Sequence, residues 1–298
     1  MDLNINSFDQ MDRARLAAYR SNLDFYNGAQ WTERSRYRQL IFNYVKIAVD
    51  KVTSYLMNEL NFACEQETGG TKSQPLQETA KRAEELIYRI YDQNSCSELD
   101  YTTEIDTAIL GDGCYKVTWD ALEKRIRITA PDVNGVFAWW QGDDITRLYR
   151  VASRYTLAAD EAVALYKQKI NKKSASITEI WDLKEFVLYL DDKIIERKPN
   201  PYGFIPFIIY PNLRQPKQFW GLSDIPALRE PQRELNRALT QLSRILEVSG
   251  NPIAVLEGVE QSRIYRLSQV LSGTSRLMRG RTCWTCCRVV AYACISTI

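Results

Sequence analysis

Histidine is absent from all 298 residues of the chain. That absence removes Ser-His-Asp and Cys-His nucleophile systems, histidine general bases and histidine-ligated metals. Long apolar runs are missing too. None approaches the roughly 20 residues that a membrane span requires. The opening, MDLNINSFDQMDRARLAAYR, lacks a basic stretch followed by an apolar core, so it does not read as a secretory signal. A chain working in the cytoplasm, with no membrane partner, is the expectation. Neither a GxxxxGK[ST] loop nor a GxGxxG turn after a strand is found. Charge of one sign is also lacking: the net charge is +2 and the sequence pI about 8.1. A phosphate-binding surface would have to come from local arrangement.

What is there is ordinary globular material, 45% hydrophobic and 26% charged, with ample apolar residue for a core. The length admits one large domain or two modest ones. Leu16, Tyr19, Leu23 and Tyr26 recur at helical steps, predicting an amphipathic helix from Asp9 to Tyr26 that Asn27-Gly28 stops. A second helix is predicted from about Ser35 to Glu59, with Ile41, Val45, Ala48, Val52 and Tyr55 on its apolar face. After a polar loop holding Gly69-Gly70 and Pro75, a third runs from about Gln77 to Tyr91. A fourth covers Leu99 to Leu110 and ends at Gly111-Asp112-Gly113, read as a turn.

The period then changes to that of strands. Cys114 to Trp119 and Lys124 to Thr129 read as a hairpin, followed by strands at Val136 to Trp140 and Ile145 to Arg154. A helix from about Thr156 to Lys169 intervenes. Strands resume at Ile177 to Leu183, Phe186 to Leu190, Lys193 to Arg197 and Phe204 to Tyr210, with Asp191-Asp192 in a tight turn. The fold class is α+β: N-terminal helices, then a largely antiparallel sheet, then a long projecting helix.

That last helix begins near Ser223 or Asp224, either of which can cap it, with Pro226 tolerated in the first turn. Ile225, Leu228, Leu235, Leu239, Leu242 and Leu246 form a heptad-like seam whose one polar position is Gln232. Pro231 should kink the helix or restart it. Arg229, Arg233, Arg237 and Arg244 lie off the seam. They read either as a face toward DNA phosphates or as a solvated, intersubunit face partly neutralised by Glu230 and Glu234.

Asp143-Asp144 and Asp191-Asp192 suit turns for backbone reasons. Cys64, Cys96 and Cys114 are scattered, whereas Cys283, Cys286, Cys287 and Cys294 crowd the end. Those four could hold zinc only in a very tight knot, and no thioredoxin-like pattern accompanies the CxxC. No catalytic, metal or cofactor site is assigned, and the chain is expected not to be an enzyme.

Several ordered segments carry a resemblance. They are Tyr26-Asn27-Gly28-Ala29-Gln30-Trp31 and Asn43-Tyr44-Val45-Lys46-Ile47-Ala48-Val49-Asp50, then Ile205-Pro206-Phe207, Pro211-Asn212 and Gly221-Leu222-Ser223-Asp224-Ile225. Arg233-Glu234-Leu235-Asn236 and Asn251-Pro252-Ile253-Ala254-Val255-Leu256 complete the set. In this order, over about residues 10 to 258, the chain resembles tailed-bacteriophage portal proteins. The resemblance implies a ring subunit, typically in a dodecamer, at one capsid vertex. Its partners would be further copies of itself, double-stranded DNA, terminase, and capsid and head-completion proteins. Its place would be the virion or the host cytoplasm, including as a prophage product.

The resemblance also implies a division of the chain: 1–222 as an α+β wing, 223–250 as a stem helix, and 251–275 as the start of a clip-like region. The stem seam named above would be the oligomer interface, with Arg233, Arg237 and Arg244 as candidates to face DNA. Residues 276–298 have a composition unlike the rest and are expected to be an aberrant tail, truncated by a shift of reading frame. A second reading is a monomeric α+β adaptor whose long helix docks on a partner. It would fold that helix onto its own sheet. A third is a metal-dependent enzyme using Asp112, Asp143 and Asp144, which would need three or more carboxylates converging.

Overall fold

The computed structural model describes residues 7–32, 38–57, 61–64, 74–168, 170, 172–250, 253–254 and 265–266. The Gly69-Gly70 loop, the cysteines from Cys283 onward and most of the 251–298 segment lie outside them. The chain divides into two compact units. One comprises Met1–Gln30 and Asn43–Glu230, and the other Trp31–Phe42 and Pro231–Ile298.

In the first unit the expected opening helix is two: α1 (Phe8–Met11) and α2 (Arg13–Tyr26), broken at Asp12, whose φ of −111° leaves helical space. α2 buries Tyr19, Asn22, Phe25 and Tyr26, and Leu23 stays exposed. α3 (Tyr44–Leu56) starts later than the sequence suggests, because Asn43 caps it by accepting from the Lys46 amide at 3.2 Å. The same side chain accepts from Gln30 Nε2 at 2.8 Å and donates to the Tyr26 carbonyl at 2.7 Å, tying the end of α2 to the start of α3. α3 buries Val45, Val49 and Thr53, while Ala48, Val52 and Tyr55, expected on the core side, are exposed.

α4 (Gln74–Gln93) and α5 (Cys96–Leu110) follow, and α2, α3 and α4 all pack on α5. Gly111, with φ +115°, closes α5 in the left-handed region. Asp112 and Gly113 are already strand rather than turn.

The described strands of the first unit form two antiparallel sheets. β1 (Asp112–Asp120), β2 (Arg125–Thr129) and β8 (Phe207–Pro211) make one in the order β2-β1-β8. The other is a meander, β3-β4-β5-β6-β7, of Val136–Gln141, Asp144–Ala158, Ser174–Asp182, Glu185–Leu190 and Lys193–Pro199. A single 3-10 turn (Val133–Gly135) leads into β3, and α6 (Ala159–Tyr166) joins β4 to β5. Asp191, with φ +50°, turns the chain between β6 and β7.

Both faces of the meander are covered. Val136, Val151, Ile177, Phe186 and Leu188 enter the main core. Phe137, Ala152, Ile180 and Val187 meet Phe8 of α1, whose ring lies 5.3 Å from Phe137 and 5.1 Å from Trp139. Lys116 of the smaller sheet pairs with buried Glu179 of the meander, and Tyr155 and Trp181 donate to the same carboxylate at 3.0 and 3.2 Å. With its lone pairs filled in this way, a buried carboxylate is tolerable.

α7 (Ile225–Gly250) is helical through Pro231 rather than restarting there, and the boundary between the two units falls at that residue. In the second unit, two-residue strands β9 (Ile253–Ala254) and β10 (Tyr265–Arg266) pair antiparallel.

Candidate functional site

A helix leaves its last carbonyls without partners, and burying them costs free energy unless something donates to them. In the first unit that donor is the segment preceding α7. The Ser223 hydroxyl sits 3.0 Å from the Ala108 carbonyl and 2.6 Å from that of Ile109, and the Asp224 amide donates to Ala108 at 3.1 Å. Ser223 Oγ also accepts from the Ile225 amide at 3.0 Å, which caps α7. The negative end of α5 therefore meets the positive start of α7. Ile225 is fully buried in the core behind this junction, and Leu228 packs at its edge.

A buried polar cluster holds the junction from below. Asp112 is inaccessible to solvent. Its carboxylate accepts from the Tyr19 hydroxyl on one oxygen and from the Gly221 amide at 2.7 Å on the other. Burial pushes the Asp112 carboxyl above the usual carboxylate range, against the opposing pull of Tyr19, Gly221 and nearby Arg15. Burial, then the charge of Asp112, drives Tyr19 upward. Arg15 donates to Asp12 at 2.6 Å and to the carbonyls of Val136 and Val133 at 2.8 and 3.2 Å, with Trp220 stacked 3.8 Å over its guanidinium. Gly221 can only be glycine here, since a Cβ would stand 2.4 Å from the Gly111 carbonyl oxygen.

Arg229, one turn into α7, donates to Ser21 at 3.1 Å and Asn22 at 2.9 Å and lies over the Phe25 ring. It is a packing residue of the first unit.

In the second unit α7 buries polar side chains and leaves leucines out. Gln232 and Asn236 are only 4% and 1% exposed, whereas Leu242 and Leu246 are 51% and 63% exposed. The buried pair faces the irregular segment 38–42. Asn236 Oδ1 accepts from the Phe42 amide at 3.0 Å and from Gln232 Nε2 at 3.0 Å. Gln232 Nε2 also donates to the Phe42 carbonyl at 2.6 Å, and Thr240 Oγ1 accepts from the Leu40 amide at 3.1 Å. Positions 232, 236 and 240 thus form a ladder with one-turn spacing, along which the backbone of 40–42 runs in the opposite sense.

At about 100° per residue this ladder sits roughly 90° round the helix from the predicted seam. Of the seam's later members, Leu239 is half-buried, and Leu235, Leu242 and Leu246 are exposed beside Ile245, which the heptad reading missed. Arg233, Arg237 and Arg244 fall about 170° from the seam, on the opposite side. Arg237 is ion-paired with Glu234 at 2.7 Å on a solvated surface.

The other sequence candidates do not gather. Asp112 is enclosed in the cluster above. Asp144 spends its carboxylate on the Thr146 amide and hydroxyl, at 3.0 and 2.6 Å, in an exposed turn next to Asp143. Among the described residues no group of three or more His, Cys, Asp or Glu side chains could hold a metal ion, and no helix is long and apolar enough to cross a membrane. A cleft of about 420 Å³ is lined by Asp132, Asn134, Arg154, Tyr155 and Ser176, and Arg154 there is engaged by Asp9.

Residues 6–277 match the protein family described as "Phage portal protein, SPP1 Gp6-like". No curated protein matches the chain.

Proposed function

The chain belongs to the phage portal protein family, SPP1 Gp6-like, a structural family, and from that membership we propose that it is a ring subunit at one capsid vertex. The ring conducts double-stranded DNA during packaging and ejection and docks terminase and head-completion proteins. The observation that carries this reading is the division of α7 into faces. An apolar seam of Leu235, Leu242 and Leu246 stands free on the single chain, with arginines on the far side and the polar ladder between them. A closed ring gives each such helix neighbours for its seam.

On this reading 1–222 is the wing, 223–250 the stem, with its seam between subunits, and 251–275 the opening of the clip. The described residues from Gln241 to Gly250 are all exposed. The same reading takes 276–298, beyond all but the last two matched residues, as an out-of-frame tail. Reading the gene in its other frames tests this, and finding no portal-like continuation overturns it.

The test of the function is particle size and shape. Negative-stain microscopy of the purified chain is expected to give closed rings with a central opening, and light scattering a mass many times 34.5 kDa. A monomer at every concentration would overturn the reading.

A further inference from the structure

β2 is an edge strand, with β1 on one side only. In an antiparallel pair, alternate residues aim their backbone groups toward the partner strand and away from it. Val117 of β1 donates its amide away from β2, to the Pro206 carbonyl at 3.0 Å. Ile128, opposite Val117 in the register, therefore turns its own amide and carbonyl outward, and so does Ile126 two residues before it. Such a row of outward groups is a template on which another chain can add a strand. The hairpin that carries it is open to other molecules, since Leu122 at its tip is 95% exposed.

A side chain already occupies that row. Asn94, just past the end of α4, donates from Nδ2 to the Ile126 carbonyl at 3.0 Å and accepts at Oδ1 from the Ile128 amide at 2.9 Å. A residue of an added parallel strand would donate to the first and accept from the second in the same way. Capping of α4 does not account for these two bonds. The Ile90 carbonyl already receives the Asn94 backbone amide at 3.2 Å, and Nδ2 reaches it as well at 2.8 Å. Beside them Arg125 donates to the Gln93 carbonyl at 2.8 Å, so the end of α4 is laid along β2.

We propose that Asn94 is an edge guard: its carboxamide takes the place of a neighbouring strand on β2 and keeps a second copy of the chain from pairing there. Arg125 and Arg127 act with it, because two copies meeting in antiparallel register about Arg127 would set like charges opposite one another. Pairs joined edge to edge in that way close about a two-fold axis, and so divert chains from any larger assembly. The inference stands apart from the ring reading and needs only β2 and the end of α4.

The test uses a fluorescent peptide copying residues 123–131 with Arg125→Glu and Arg127→Glu, so that charge attracts it to β2 instead of repelling it. Its binding to the full chain is followed by anisotropy for the wild type, Asn94→Ala and Asn94→Ala/Ile128→Pro. The single variant is expected to bind at least about tenfold more tightly than the wild type, the gain that one or two freed hydrogen-bonding groups supply. The proline variant lacks the outward amide and should lose that gain. Equal binding by the wild type and Asn94→Ala, or binding by neither, overturns the inference. Hydrogen exchange at the Ile128 amide without peptide should be slow in the wild type and fast in Asn94→Ala, and equal rates overturn it too. Should Asn94→Ala fail to fold, Asn94→Leu, which keeps the volume, and Asn94→Asp, which keeps the oxygen, replace it. The peptide should then bind the leucine variant and not the aspartate, and any other pattern overturns the guard.

Discussion

Asn236 accepts the Phe42 amide hydrogen with the same side-chain oxygen that receives Gln232 Nε2, both at 3.0 Å. One buried carboxamide oxygen thus fixes a segment 194 residues distant in sequence. Replacing Asn236 by alanine leaves the Phe42 amide without its acceptor and is expected to cost about 2–3 kcal/mol. Asn236→Asp keeps the oxygen and should cost less. Hydrogen exchange at the Phe42 amide checks both: fast in the alanine variant, protected in the aspartate.

Asp112 gives a signed pH dependence. Its folded carboxyl lies above the ordinary value of 3.8, first because of burial, so at a pH between the two values the folded chain holds a proton that the unfolded chain has lost. As pH falls through the raised value toward 3.8, this group adds stability, fully present below 3.8 and absent above the raised value. Asp106 and Glu104, also raised chiefly by burial, act in the same direction. Asp112→Asn should keep the acceptor for Gly221 and reduce the gain on acidification. Denaturant midpoints at neutral and mildly acidic pH, for both proteins, measure the difference. A gain in the variant equal to the wild type's would rule this assignment out.

Two glycines separate crowding from backbone strain. Gly221→Ala places a methyl 2.4 Å from the Gly111 oxygen and 2.6 Å from Pro211 Cβ, and is expected to cost about 3 kcal/mol and to loosen the start of α7. Gly142→Ala meets nothing within 4 Å but must hold φ +62°, for about 1 kcal/mol. Thermal unfolding of the two variants should show the larger loss at Gly221.

Much of this architecture was legible in the residues, for identifiable reasons. Strand alternation gave β1 and β3 to β7 within a few positions, because sheets with well-covered faces carry dense apolar patterns. The family resemblance rested on motifs whose geometry is now visible: Gln30 and Asn43 join α2 to α3, and Gly221 and Ser223 seat α7 on the end of α5. Periodicity failed where burial is polar. Gln232 looked like an interruption of the leucine seam, yet it and Asn236 are what the helix buries. A hydrophobic count could not find them. The asparagine in the family motif was the available signal. On α3 both sides are apolar, so the pattern alone could not say which side faced the core. Asp112 read as a turn residue because nothing local distinguishes a glycine-flanked strand start from a turn.

The faces of α7 predict a separation of two functions. Leu242→Glu/Leu246→Glu changes side chains that are already exposed, so the unfolding transition should move by no more than about 0.5 kcal/mol. The same variant should lose assembly, because glutamates buried in the seam against a neighbouring helix must be desolvated without a partner charge. Arg233→Gln, Arg237→Gln and Arg244→Gln combined should do the reverse: rings persist, while binding of duplex DNA weakens at every sequence alike. If each arginine contacts one phosphate, the slope of log K against log salt flattens by about 0.9 per side chain removed. Arg237 is already paired with Glu234, so its share should be the smallest of the three. An unchanged slope in the triple variant would move the DNA-facing surface off this helix, while persisting assembly in the leucine variant would move the subunit contact off it.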